Sequence, residues 1–200
     1  MSNITLLKCQ VRIEKAMVRR HVKWGLALGG GGARGIAHVG VLKVLQREHL
    51  IPDVITGTSI GALVGGAFAC RPDAEALEAR VYEVLDPESN ESKPLKQISR
   101  LNWAEKSESS LYDRLLRSFR KELFLGMALF RNGVWSMEDL RDSVSAFLPD
   151  VDLTETTIRF GTLAVDLLSG EPVLLNKGPI IESVMASCAM PGFMPPVPLG

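Results

Sequence analysis

Val54-Ile55-Thr56-Gly57-Thr58-Ser59-Ile60-Gly61, followed by the small residues Ala62 to Ala69, reads as a short strand, a tight turn and a helix in direct succession. β-Branched residues favour the strand, glycines on both sides of Ser59 permit a sharp turn, and the small side chains suit a helix packed close to a sheet. A similar unit stands upstream. There the apolar run Trp24-Gly25-Leu26-Ala27-Leu28 enters four glycines, Gly29 to Gly32, and Ile36, Val39, Val41, Leu42 and Leu45 trace the buried side of a second helix. Pro52 breaks the chain between the two units. Two strand-loop-helix units in series, each with a connection long enough to cross over, predict a mainly parallel sheet covered by helices, a three-layer α/β sandwich.

Further along, residues 74 to 84 read as a helix and Asp86 to Glu91 as an exposed loop. Between Leu111 and Phe130 the residues Leu111, Leu115, Phe119, Leu123, Met127 and Phe130 recur at helical spacing, with Arg114, Arg117, Arg120 and Lys121 off that stripe. A helix covering the sheet and a helix lying in a membrane interface both fit that stretch, 111–130. Met137 to Phe147 is a further helix, Thr157 to Val165 and Pro172 to Leu175 are strands joined through Ser169-Gly170, and Ile180 to Ala189 is a helix after Gly178. The prolines from Pro191 to Pro198 exclude a helix or central strand there.

With 200 residues, 46% of them hydrophobic, the chain can bury one sizeable core. Residues 1–22 are basic and lack a clean period, so they read as an appendage to a domain spanning 23–200. Lys plus Arg and Asp plus Glu both total 23, so no global field attracts nucleic acid. Three cysteines, Cys9, Cys70 and Cys188, make neither a disulfide framework nor a zinc motif, and the basic residues between Met1 and Lys23 interrupt any signal-peptide core. Together with the lack of an uninterrupted apolar span of 18 residues, this predicts a cytoplasmic protein, at most peripheral to a membrane. No ligand cluster implies a metal or an organic cofactor, and oligomeric state is left open.

Gly57-Thr58-Ser59-Ile60-Gly61 has the context of a nucleophile elbow: a strand before the serine and a helix behind it, whose dipole favours a developing oxyanion. The bland alternative is that Ser59 caps the helix and the glycines only allow close packing. Gly30-Gly31-Gly32-Ala33-Arg34-Gly35 also matches a dinucleotide fingerprint, but that site needs an acid ending the second strand, where the serine turn stands instead. A phosphate-binding loop would want Lys and Ser or Thr where Arg34 and Gly35 stand. The better reading is that Gly30, Gly31 and Gly32 present bare N–H groups to the oxygen of an attacked ester, with Ser59 as the attacking group. Arg34 is assigned either to an anionic headgroup or to a surface ion pair. All three histidines, His21, His38 and His49, precede Ser59, and His38 reads as a packed or surface residue of the first helix rather than a base.

Gly30 to Gly35, Gly57 to Gly61 and the late run from Ala186 to Val197, including Ser187-Cys188-Ala189-Met190-Pro191-Gly192, together resemble the patatin-like phospholipase family over about Lys23 to Gly200. That resemblance implies a lipid acyl hydrolase acting on phospholipid or lysophospholipid esters. It also implies a Ser-Asp dyad without histidine, the aspartate lying in an Asp-Gly-Gly or Asp-Gly-Ala motif after the proline-rich segment. This chain contains no Asp-Gly dipeptide. The expectation is therefore a chain that stops before its base and has little or no activity alone; a catalytically inactive lipid-binding or regulatory module, or a serine acyltransferase, are the rivals. Asp166 lies in a family-like segment but at a non-catalytic position, and Asp150 and Asp152 have less support. Cys70 and Cys188 read as small core residues, while Met185, Met190 and Met194 either line an acyl pocket or fill core.

Overall fold

A computed structural model describes residues 23–86, 136–191 and 194–199. The basic appendage 1–22 and the amphipathic stretch 111–130 lie outside them. In chain order the elements are β1 (Gly25–Leu28), a 3-10 turn (Gly32–Ile36), α1 (Ala37–Arg47), β2 (Val54–Gly57), α2 (Ile60–Cys70), α3 (Ala74–Leu85), α4 (Met137–Ser145), a second 3-10 turn (Leu153–Glu155), β3 (Arg159–Val165), β4 (Pro172–Leu175) and α5 (Ile180–Cys188). The sheet order is β1-β2-β3-β4. β1, β2 and β3 run parallel, with Leu28 opposite Gly57 and Gly57 opposite Thr162, and β4 closes the edge antiparallel to β3.

That order brings the carboxyl ends of β1 and β2 side by side, so the glycine loop and the serine turn leave the sheet at one edge. α2 lies against the face that carries Leu28, Ile55 and Phe160. Its glycines make that approach close: a Cβ at Gly65 would stand 3.0 Å from Ile55 Cγ2, and one at Gly66 would stand 3.1 Å from a ring carbon of Phe160. Each interior glycine costs a helix about 1 kcal/mol relative to alanine. The cost is offset by burial, because every residue of α2 from Ala62 to Ala69 except Leu63 is buried, and a fully buried side chain such as Phe68 contributes about 2–3 kcal/mol.

α5 packs beside α2 against β3, and it buries Ile180, Ile181, Val184 and Met185 in the same core. α1 is amphipathic: Val39 and Leu42 are buried, while Val41, which the sequence reading placed on the buried side, is 48% exposed. Two residues after Val39, it has turned about 200° around the helix. α3 is capped by Asp73, whose carboxylate accepts from the Ala76 N–H at 2.9 Å, and α4 by a capping box between Ser136 and Asp139. The opposite face of the sheet, carrying Ala27, Val54 and Leu163, is exposed among the described residues. Two of the three expected layers are therefore built by them.

Candidate active site

Ser59 sits between the last residue of β2 and the first turn of α2 with φ 54° and ψ −125°. A side chain in that region of backbone space costs on the order of 1–3 kcal/mol, and it persists only where the surroundings enforce it. The enforcement is visible in the flanking glycines. A Cβ at Gly57 would collide with the Gly61 carbonyl and the Ala62 backbone, and a Cβ at Gly61 would collide with the Leu28 and Gly29 carbonyls. The helix therefore begins immediately after the strand, with Gly61 N–H donating to the Thr58 carbonyl (2.9 Å) and Ala62 N–H to the Ser59 carbonyl (2.8 Å).

The bland capping role is excluded by geometry: Ser59 makes no side-chain cap hydrogen bond to α2. Burial pushes the Cys188 thiol up to about 12, and a side-chain hydrogen bond with Ser59 partly offsets that shift. Cys188 is half-buried and packs against the core, as its sequence context suggested, beside Ser59. Cys70, at the end of α2, is half-buried and likewise pushed up, to about 11, by desolvation.

The glycine loop reaches the same place. A Cβ at Gly30 would stand 3.5 Å from Ser59 Cβ and 3.7 Å from the Thr58 carbonyl oxygen, so the loop passes directly over the serine turn. Gly31 and Gly32 follow, with Gly32 at φ 55° in open space, and Gly35 packs so closely under Ile60 that any Cβ there would strike the isoleucine side chain. Gly30 to Gly32 are exposed, whereas Gly35, Gly57 and Gly61 are buried. Arg34 is exposed in the 3-10 turn and makes no ion pair with the described residues.

His38 supports the loop from α1. Its Nε2–H donates to the Gly29 carbonyl at 2.9 Å, an acceptor that dictates the tautomer. The ring therefore engages the backbone of the loop and not the Ser59 hydroxyl. Asp166 is held in the β3–β4 turn, where it accepts from Leu168 N–H and from the Ser169 hydroxyl, both at 2.9 Å. Those bonds keep its carboxyl below the ordinary aspartate range, the Leu168 N–H contributing most. Asp152 caps the second 3-10 turn and is lowered in the same way, chiefly by the Thr154 hydroxyl. Among the described residues no carboxylate is bonded to Ser59, and no group of three His, Cys, Asp or Glu is placed to hold a metal. No helix of the described residues is long and apolar enough to cross a membrane.

Ser187 escaped the sequence reading except as one letter of the late run. From the last turn of α5 its hydroxyl oxygen accepts from the Ser59 N–H at 2.9 Å and donates to the Leu163 carbonyl at 2.6 Å. No periodicity announces this, because the partners are 128 and 24 residues away.

The family model for patatin-like phospholipases matches residues 26–200. A patatin-like phospholipase domain-containing protein of Caenorhabditis elegans is 28% identical over 173 residues, covering 86% of this chain and 11% of that protein. Triacylglycerol lipase 4 of Saccharomyces cerevisiae is 33% identical over 193 residues, covering 90% of this chain and 19% of that protein. Among solved structures, VipD from Legionella pneumophila aligns with a TM-score of 0.47 at 16% identity, covering 86% of this chain and 43% of that one. The chain spans between 11% and 38% of the length of the first curated relatives it matches. With the family model covering all of the chain from the second residue of β1 onward, this chain belongs to the patatin-like phospholipase family.

Proposed function

We propose that the chain carries the nucleophile and the oxyanion site of a serine lipid acyl hydrolase, acting on phospholipid, lysophospholipid or related carboxylic esters. The observation that carries the reading is Ser59, a non-glycine residue held at φ 54° with its hydroxyl uncommitted to helix capping and Gly30 stacked against it. In this reading Ser59 Oγ attacks the ester carbonyl, its proton passes to a base, and an acyl-enzyme forms as the alcohol leaves. Water then attacks the acyl carbon and releases the fatty acid. N–H groups of Gly30, Gly31 and Gly32 stabilise the oxyanion of each tetrahedral intermediate, one such donor being worth about 3–4 kcal/mol. Arg34, exposed beside that loop, is assigned to an anionic headgroup, and 111–130 to contact with the lipid surface. The lipase name of the yeast relative supports a lipid ester as substrate.

The family resemblance assigns the base to an Asp-Gly motif that none of the 200 residues contains. The test is therefore run on this chain and on the complete gene product, with p-nitrophenyl esters, lysophospholipid vesicles and a fluorophosphonate probe. The expected result is hydrolysis and probe labelling by the complete product, both abolished by Ser59→Ala. Activity that survives Ser59→Ala sinks the assignment. Binding of vesicles without turnover by either form favours the inactive lipid-binding module, which the lack of a carboxylate bonded to Ser59 among the described residues motivates. Transfer of the acyl group to an added alcohol in preference to water would identify an acyltransferase.

A further inference from the structure

We infer that Ser187 is the positioning residue that aims Ser59, by replacing a missing rung of the parallel ladder between β2 and β3. This rests on Ser59 being the nucleophile. The paired register of β2 with β3 ends at Gly57 opposite Thr162. Carried on by two residues it would set Ser59 opposite Ala164, and in a parallel ladder the Ser59 N–H would then donate to the carbonyl of Leu163. The other side of β2 does continue in this way for one step, since Thr58 N–H donates to the Leu28 carbonyl of β1 at 3.0 Å. On the β3 side the sharp turn lifts the chain out of the sheet. The Ser59 N–H and the Leu163 carbonyl are thereby separated from each other.

Both groups are satisfied by one hydroxyl. Ser187 Oγ accepts from Ser59 N–H at 2.9 Å and donates its proton to Leu163 O at 2.6 Å, so a single oxygen spans the gap. The hydroxyl's one proton and one of its lone pairs are engaged, each bond polarises the other, and the short second bond places the hydroxyl firmly. The strained backbone of Ser59 is thus tied to β3 on one side and to α5 on the other. A further consequence concerns the oxyanion: the Ser59 N–H is spent on Ser187, so the donors come from the glycine loop instead. Alanine would leave two backbone groups unpaired. Cysteine at 187 keeps nearly the same volume but is a weak donor and acceptor, whereas threonine keeps the hydroxyl.

The experiment compares Ser187→Ala, Ser187→Cys and Ser187→Thr in the complete gene product, measuring kcat, KM, thermal midpoint and amide exchange at Ser59. The expected result is a kcat lowered about 10- to 100-fold for Ala and Cys with KM within about threefold, as misaim of a reacting atom produces. Threonine should restore most of the turnover, and Ser59 amide exchange should accelerate in Ala and Cys alone. Turnover that follows thermal stability or side-chain volume rather than the presence of the hydroxyl would overturn the inference. So would a folded Ser187→Cys protein with undiminished kcat. Where Ala does not fold, the near-isosteric Cys variant decides. Ser59→Ala is run alongside: activity surviving there discredits the nucleophile itself, while amide exchange still reports whether Ser187 holds that backbone.

Discussion

The molecule contains one supersecondary unit twice, and the two copies are built to opposite specifications. Between β1 and α1 the chain passes through exposed glycines and a 3-10 turn, and the helix that follows is amphipathic, with Val39 and Leu42 inward and Val41 and Val44 outward. Between β2 and α2 there is no slack at all, and the helix is buried along almost its whole length. In the proposed reaction the first unit lends backbone N–H groups, which need room and no side chains. The second aims one side chain, which requires that every neighbouring atom be in place. Glycine serves both, for contrasting reasons: in the loop it leaves space empty, and in the elbow it lets backbone fill that space.

The contrast is broken most severely at the elbow. Gly61→Ala forces a methyl into the Leu28 and Gly29 carbonyls, so a destabilisation of about 3 kcal/mol or more is expected, read as a lowered urea midpoint. At Gly30 the same change meets only ordinary van der Waals neighbours, and stability should move by less than about 1 kcal/mol. Its methyl nevertheless faces Ser59, so ester turnover or fluorophosphonate labelling should fall about tenfold or more. Equal stability losses at the two positions would erase the distinction.

His38 sharpens the comparison from the side of the first unit. Its imidazole braces the Gly29 carbonyl, so His38→Gln, which keeps an N–H donor, should change turnover by no more than about threefold. A base would be missed by about a hundredfold or more. The smallest effect is expected at Cys188, beside the second unit. With its thiol half-buried and pushed up to about 12, iodoacetamide should label it far more slowly in the native than in the denatured protein. The sign of the linked stability follows: the folded state holds the proton more tightly than the unfolded chain, so this thiol's contribution is constant below about pH 9 and is lost as pH rises toward 12. Equal labelling rates in the native and denatured states at pH 8 would mean that the thiol is not shielded by the fold.

Much of this was legible in the linear chain because it is written in local rules. Gly57-Thr58-Ser59-Ile60-Gly61 announces a turn that only glycines permit, and the observed strand β2 and helix α2 extend the predicted ones by no more than two residues. The strands β1, β3 and β4 and the helices α3, α4 and α5 follow equally from apolar period and turn residues. Val41 was misplaced because a run of apolar residues on a helix covers more of its circumference than the core accepts.

Sequence alone determined where the chain bends, since a Cβ at Gly57 would collide with the Gly61 carbonyl and the Ala62 backbone only a few residues on, whereas the collision that requires glycine at 61 is with the Leu28 and Gly29 carbonyls of the neighbouring strand. Only the tertiary structure decided what meets at the bend. His38 reaches back to Gly29 across nine residues, and Ser187 closes a gap between Ser59 and Leu163 that exists only once the sheet has formed and β2 has left it. A hydroxyl that spans 128 residues leaves no period, no spacing and no compositional mark in the chain; its meaning comes from the two backbone groups that folding has left facing it.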